Sequence, residues 1–113
     1  MNILIIFQIL FALATTLIGL YALFRPDAIQ GFTGLSIPAA RGRVEMRSIF
    51  GGAFIAMGAL PFLLGSAGFQ SLGMIYLGIG IARAISTIVD RSTEISNLAS
   101  LVIEIIFGVL LLL

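Results

Sequence analysis

Two charged residues, Arg83 and Glu104, lie inside long apolar stretches of the sequence. A guanidinium and a carboxylate can form an ion pair that is also hydrogen-bonded. Within a membrane, such a pair either joins two helices or lines a site for a proton, an ion or a lipid head group. An unpartnered charge near the bilayer centre costs at least about 2.5–3.5 kcal/mol. We therefore expect Arg83 and Glu104 to face each other rather than hydrocarbon.

The composition of the chain is typical of a membrane protein. Of its 113 residues, 60% are hydrophobic and 10% are charged, and its mean hydropathy is +1.22. A soluble domain carries about 25% charged residues, so this chain has too few charges to cover a water-facing surface. Cysteine and histidine are absent, which excludes disulfides and the usual zinc and haem ligands. We expect no metal, no cofactor, no nucleic-acid partner and, since no serine has an activating base, no enzymatic activity.

Four apolar segments are long enough to cross a membrane as helices. They are, approximately, residues 3–24, 44–64, 70–89 and 98–113. We expect the first segment to remain in the protein, because it lacks the basic leading region of a signal peptide. The sequence Gly65-Ser66-Ala67-Gly68 is expected to separate the second helix from the third. The connection 25–43 could contain a short interfacial helix that turns Ile29, Phe32 and Leu35 towards lipid.

The basic residues are concentrated on one side of the predicted helices. Five arginines lie in or beside the connections that follow the first and third helices: Arg25, Arg41, Arg43, Arg47 and Arg91. By the positive-inside rule, this side is cytoplasmic and both termini are extracytoplasmic. The expected architecture is an integral membrane antiparallel four-helix bundle in a cell membrane. Arg25, Arg41, Arg43 and Arg91 are also expected to contact anionic lipid head groups.

Each predicted helix carries one face of small or polar residues. Membrane helices associate through close packing at such faces, because lipid is as apolar as leucine. The glycines expected at these contacts are Gly19, Gly51, Gly52, Gly73, Gly80 and Gly108. These faces favour either a compact bundle or a dimer that shares them.

An antiparallel hairpin of the third and fourth helices would bring Arg83 and Glu104 to the same depth. Candidate neighbours of this pair are Glu45, Arg47, Ser48 and Tyr76. Glu45 and Arg47 could cap the second helix at the interface, or form a cytoplasmic mouth that leads to the pair. The pair itself could fix the order and register of the helices, or it could line a polar site.

Several short motifs resemble those of a known family. They are Glu45-x-Arg47-x-x-x-Gly51-Gly52 with Gly58 beyond it, Gly78-x-Gly80-x-x-Arg83, and a glutamate in the last helix. The sequence is similar, over nearly the whole chain, to the small bacterial four-helix membrane proteins of the domain of unknown function 4345 family. The resemblance implies an all-helical inner-membrane protein and no assigned activity.

Three functions are compatible with these features. The first is a non-catalytic accessory or scaffolding subunit that makes helix contacts with another membrane protein or with itself. The second is a small transporter or channel, alone or as a dimer, that uses Arg83 and Glu104. The third is a protein that binds membrane lipids between its helices.

Overall fold

The structure, a computed structural model, describes residues 2–113, and its regular elements within that range are all helices. The long elements are α1 (Ile3–Phe24), a composite helix (Ala40–Leu64), α5 (Ser66–Asp90) and α6 (Ile95–Leu112). Each of these is long and apolar enough to cross a membrane. A 3₁₀ turn (Pro26–Ile29) and α2 (Gln30–Thr33) follow α1. The all-α fold class predicted from the sequence is therefore confirmed.

The composite helix contains three parts: α3 (Ala40–Glu45), a π-helix (Met46–Ala53) and α4 (Phe54–Leu64). It begins at Ala40 rather than near residue 44, because Ala39 is extended and its carbonyl accepts hydrogen bonds from Gly42 and Arg43. The first turns are polar, so a prediction based on hydropathy places the start of this helix too late. Short π-helical segments are rare and are often found at functional sites.

The turn between α4 and α5 needs only one glycine. Gly65 has a positive φ of 63°, and α5 begins directly after it at Ser66 rather than near residue 70. Gly68 lies inside α5, where an added Cβ would be 2.0 Å from the carbonyl oxygen of Leu60. It permits a close helix contact and does not break the helix. The last helix also starts earlier than expected, at Ile95 rather than near residue 98.

The contacts of the chain define two compact units, and the first contains the residues up to Ile9 together with Leu60–Leu113. In this unit α5 packs along α6. A Cβ at Gly73 would be 3.0 Å from the carbonyl oxygen of Gly108, and a Cβ at Gly108 would be 2.6 Å from the Leu77 side chain. The Gln8 amide donates a 2.8 Å hydrogen bond to the Leu110 carbonyl, one of the carbonyls that the end of a helix leaves without a partner.

The second unit is Leu10–Ala59, in which α1 packs against the π-helix and α4. A Cβ at Gly19 would be 2.8 Å from the Gly51 carbonyl oxygen, and a Cβ at Gly58 would be 2.7 Å from the Thr16 nitrogen. Arg47 Nε donates a 3.0 Å hydrogen bond to the Leu23 carbonyl near the end of α1. Glycine and arginine thus join the two helices by backbone contact and by a C-terminal cap.

Gly19→Ala is expected to destabilise the protein by about 1–3 kcal/mol, the usual cost of overpacking a close contact. The added methyl group would meet backbone atoms, which cannot move aside as a flexible side chain can. The measurement is the free energy of unfolding of the reconstituted protein, followed by its helical circular dichroism. The matched control is Gly78→Ala, because a Cβ at Gly78 would have no described atom within 4 Å apart from its chain neighbours and the local backbone of α5. Equal stability of the two variants would contradict the Gly19 contact.

Candidate functional site

Arg83 on α5 and Glu104 on α6 are joined by two parallel hydrogen bonds. Arg83 Nε donates to Glu104 Oε1 at 2.6 Å, and Arg83 Nη2 donates to Glu104 Oε2 at 2.8 Å. The Glu104 side chain is 10% exposed and the Arg83 side chain 32% exposed. A two-point contact between guanidinium and carboxylate is among the stronger ion-pair geometries, because it fixes both planes as well as the distance.

A second polar contact extends the pair towards the α5–α6 turn. Arg83 Nη1 donates to Asn97 Oδ1 at 3.1 Å, and Asn97 Nδ2 donates to Thr87 Oγ1 at 2.8 Å. Asn97 and Thr87 were not among the site residues predicted from the sequence. Their spacing indicates that each shares a helix face with one member of the pair, because Thr87 is four residues after Arg83 and Asn97 is seven residues before Glu104. Their hydrogen bonds depend on side-chain conformations that spacing alone does not specify.

The hairpin turn brings the polar ends of α5 and α6 together. Arg91 adopts the left-handed conformation with φ of 54°, and the Ser92 amide donates to the Thr87 carbonyl at 3.2 Å. This is the usual way for a helix to end, although glycine is the commoner residue there. The Ser92 hydroxyl donates to the Glu94 carboxylate and so lowers the pKa of that carboxyl below its ordinary value.

A groove of about 470 Å³ lies beside the pair, at the turn end of the hairpin. Its polar lining consists of Arg83, Ser86, Thr87, Asp90, Ser92 and Asn97. Ile79 and Ala82 supply its apolar part. Within the part of the chain that the structure describes, the Asp90 carboxylate and the Ser86 hydroxyl make no hydrogen bond or ion pair. The groove therefore offers unused polar groups next to a guanidinium.

The site presents several groups to which a ligand could bind. Both carboxylate oxygens of Glu104 accept hydrogen bonds from Arg83. Among residues 2–113, no group of three or more His, Cys, Asp or Glu side chains could hold a metal ion. The groups left for a ligand are hydroxyls, one carboxylate and the remaining N–H groups of Arg83.

Contacts with other residues are made by three of the four further residues that were predicted to join the pair, namely Tyr76, Glu45 and Arg47. Tyr76 is buried, and its ring packs edge-on against Phe107 with 5.3 Å between centroids. The Glu45 carboxylate forms its ion pair with Arg41. Ser48 is exposed on the π-helix. As described above, Arg47 caps α1.

The four arginines predicted to contact lipid head groups fall into two pairs. Arg41 bonds to Glu45, and Arg43 lies 3.6 Å from the Asp27 carboxylate, so both are partly neutralised. Arg25 and Arg91 are exposed and make no ion pair with any residue in the described range. These two cations are the more available for anionic lipid.

The glycines predicted at helix contacts also divide into two groups. Tight contacts with the rest of the chain are made by Gly19, Gly51, Gly73, Gly80 and Gly108. Gly52 is different, because a Cβ there would meet only the Arg47 carbonyl oxygen at 4.0 Å. Glycine inside a helix costs up to about 1 kcal/mol relative to alanine, and no close contact within the described chain offsets that cost at Gly52.

The comparison with protein families gives one result. The family model described as Domain of unknown function (DUF4345) matches residues 3–113. No curated protein and no solved structure matches the chain. The match covers every residue of the ion pair, of the groove and of the π-helix.

Glu104→Leu is expected to destabilise the protein by about 3–5 kcal/mol, because it leaves the partly buried Arg83 guanidinium without its counter-charge. The double variant Arg83→Leu with Glu104→Leu should recover most of this loss, because both charges are removed together. The measurement is the free energy of unfolding in a double-mutant cycle. A double variant as unstable as the sum of the two single variants would contradict the pairing.

Proposed function

Because this chain belongs to the DUF4345 family, whose description assigns no activity, we propose a function from its own structure: it is a non-catalytic integral membrane protein that serves as an accessory or scaffolding subunit. Its four apolar helices form an antiparallel bundle in a cell membrane. Lengths of 18 to 25 residues support four crossings, since about 20 apolar residues span the hydrocarbon core. The single-residue turn at Gly65 supports an antiparallel order for the second and third crossings.

The distribution of arginine supports an orientation with both termini outside. Arg25 and Arg91 follow α1 and α5 directly, and Arg41 and Arg43 lie in the first turns of the composite helix. The turn at Gly65, on the other side of the proposed bundle, has no basic residue near it. Basic residues near the ends of membrane helices are retained on the cytoplasmic side.

A reporter fused after Leu113 tests this orientation. Alkaline phosphatase, which is active only outside the cytoplasm, should be active in this fusion, whereas green fluorescent protein exported by the general secretory route should be dark. A second pair of fusions within the connection 26–39 should give the opposite result. Phosphatase activity in the connection, with fluorescence at the C-terminus, would reverse the orientation.

The observation that carries the proposed scaffolding role is the exposed small-residue face of the composite helix. This face contains Ser48, Gly52, Ala53 and Ala56, all exposed. Small residues at such spacing let the backbone of a second membrane helix approach closely, and the contact gains from van der Waals packing. Gly52 lies in the middle of the face, and its helix cost is offset if a partner backbone packs there.

We assign this face to a membrane helix of another protein. We call this face a notch, because its small side chains lie beside the large exposed side chain of Ile49. A notch of this kind fits a helix that presents bulky apolar side chains as a ridge. Faces of small residues also form symmetric helix dimers, so a second copy of this chain is the competing occupant that the experiment below distinguishes.

The groove beside Arg83 is the observation that favours the transporter alternative. A polar groove that reaches a charged pair inside a membrane helix is a feature of ion and proton pathways. We rank this alternative second, because the acidic group of a coupled carrier must bind and release a proton or an ion during transport. Glu104 is held at both oxygens by Arg83.

Gly52→Leu is expected to reduce the yield of co-purified partner roughly tenfold, a loss of about 1.4 kcal/mol in binding. A Cβ at position 52 meets no close atom of the chain's own fold, so the stability of the protein should be unchanged or higher by up to about 1 kcal/mol. The measurement is quantitative mass spectrometry of proteins retained after mild detergent extraction.

Gly78→Leu is the matched control, because it places the same side chain on an exposed glycine of α5. The control should retain the partner. Equal loss in both variants would contradict the assignment to the Gly52 face. If residue 52 forms photo-crosslinks only with a second copy of the chain, the face is the interface of a homo-oligomer, and the accessory role is contradicted.

A further inference from the structure

The groove at the turn end of the α5–α6 hairpin contains separated charges of opposite sign. Arg83 lies at its inner end, and Asp90 lies seven residues further along α5, about 10 Å nearer the turn by helical rise. Both residues line the groove, and the Ser86 hydroxyl lies between them in sequence. A ligand that fits this groove has an acceptor group towards Arg83 and a donor group towards Asp90.

Arg83 retains hydrogen-bond donors for such a ligand. A guanidinium has five N–H groups. Three are used, two by Glu104 and one by Asn97. The two that remain belong to the terminal nitrogens of a side chain that lines the groove and is about one-third exposed. Arginine N–H groups in this position bind phosphate oxygens well.

Asp90 supplies the complementary charge. Its carboxylate has no hydrogen bond or ion pair within the described range, and it lines the groove near the hairpin turn. The Glu94 carboxylate adds negative charge next to Ser92, at the same end of the groove. This end therefore favours a cationic group, and a primary ammonium can also donate hydrogen bonds to a carboxylate.

We propose that the groove binds the head group of an aminophospholipid, with the lipid phosphate at Arg83 and Ser86 and the primary ammonium at Asp90. In such a lipid the phosphate is next to the glycerol and the ammonium is further towards water. The order of charges along the groove is the same, positive at the inner end and negative at the turn. Ala82 and Ile79 supply the apolar lining at the level where the glycerol and the acyl chains begin.

The same charges discriminate against other lipids. An anionic head group without an ammonium would bring a negative charge to Asp90 with no compensating cation. A choline head group carries a cation, but its quaternary nitrogen has no N–H to donate. Glu104 neutralises most of the attraction of Arg83 for an isolated anion, so a soluble phosphate compound gains little without the acyl chains. The volume of about 470 Å³ lies in the usual range for ligand sites.

The test uses the full chain reconstituted in nanodiscs with equal molar parts of phosphatidylethanolamine, phosphatidylcholine and phosphatidylglycerol. The protein is transferred to mild detergent, and the retained lipids are counted by native mass spectrometry. We expect phosphatidylethanolamine to be enriched over both other lipids. Asp90→Asn should lower this enrichment roughly tenfold and leave the helical circular dichroism unchanged. Asp27→Asn, a change at another exposed carboxylate, should retain the enrichment over phosphatidylcholine, a comparison between two lipids without net charge that the release of Arg43 does not affect.

A steric variant tests the location without removing a charge. Ala82→Leu places a larger apolar side chain in the groove and should abolish the retention of phosphatidylethanolamine. Ala67→Leu makes the same change at an exposed position of α5 outside the groove and should not. Soluble phosphoethanolamine should fail to displace the lipid.

Three results would overturn the proposal: equal retention of the three lipids, unchanged enrichment in Asp90→Asn and Ala82→Leu, or displacement by soluble phosphoethanolamine. The last result would assign the groove to a water-soluble ligand. The proposal does not depend on the scaffolding role, because Gly52→Leu leaves every residue of the groove unchanged. Loss of a protein partner and loss of lipid retention can therefore be distinguished.

Discussion

In the proposed membrane bundle, the cost of an unpaired charge in hydrocarbon is the constraint on which the α5–α6 hairpin depends. Arg83 and Glu104 avoid that cost by sharing two hydrogen bonds at 2.6 and 2.8 Å. A shift of α6 by one residue would move Glu104 along the axis by about 1.5 Å and around it by about 100°. Both hydrogen bonds would then be lost. The pair therefore selects one register among the many that two apolar helices could adopt.

Small residues make the geometry of this pair possible. Gly80 precedes Arg83 by one helical turn, and a Cβ there would lie 3.4 Å from the Cβ of Glu104 and 2.8 Å from the Ile105 side chain. Gly108 follows Glu104 by one turn and meets Leu77. Close approach on both sides lets the short glutamate side chain reach the guanidinium. The polar groove begins at the turn end of the hairpin, where Asn97 takes the next donor of Arg83.

Much of this fold could be predicted from the sequence, because crossing hydrocarbon demands long apolar runs and charges inside them demand partners. The predicted helix starts were less accurate, because the first turn at Ala40 is polar and the first turn at Ser66 contains Gly68, so both resemble loops. The π-helix could not be predicted, because the same residues can form i→i+4 or i→i+5 hydrogen bonds. The roles of Asn97 and Asp90 follow from the shape of the hairpin turn, and neither residue type indicates that shape.

The most direct test of the pair is a solid-state NMR distance in lipid bilayers. Arginine side chains are labelled with ¹⁵N and glutamate carboxyls with ¹³C, in a Glu45→Gln variant that removes the Arg41 ion pair. Dephasing of a carboxyl signal that corresponds to a carbon–nitrogen distance of about 3.5 Å is the predicted result, since an oxygen lies between the two atoms. Absence of dephasing would show that Arg83 and Glu104 do not meet, and it would contradict the hairpin register.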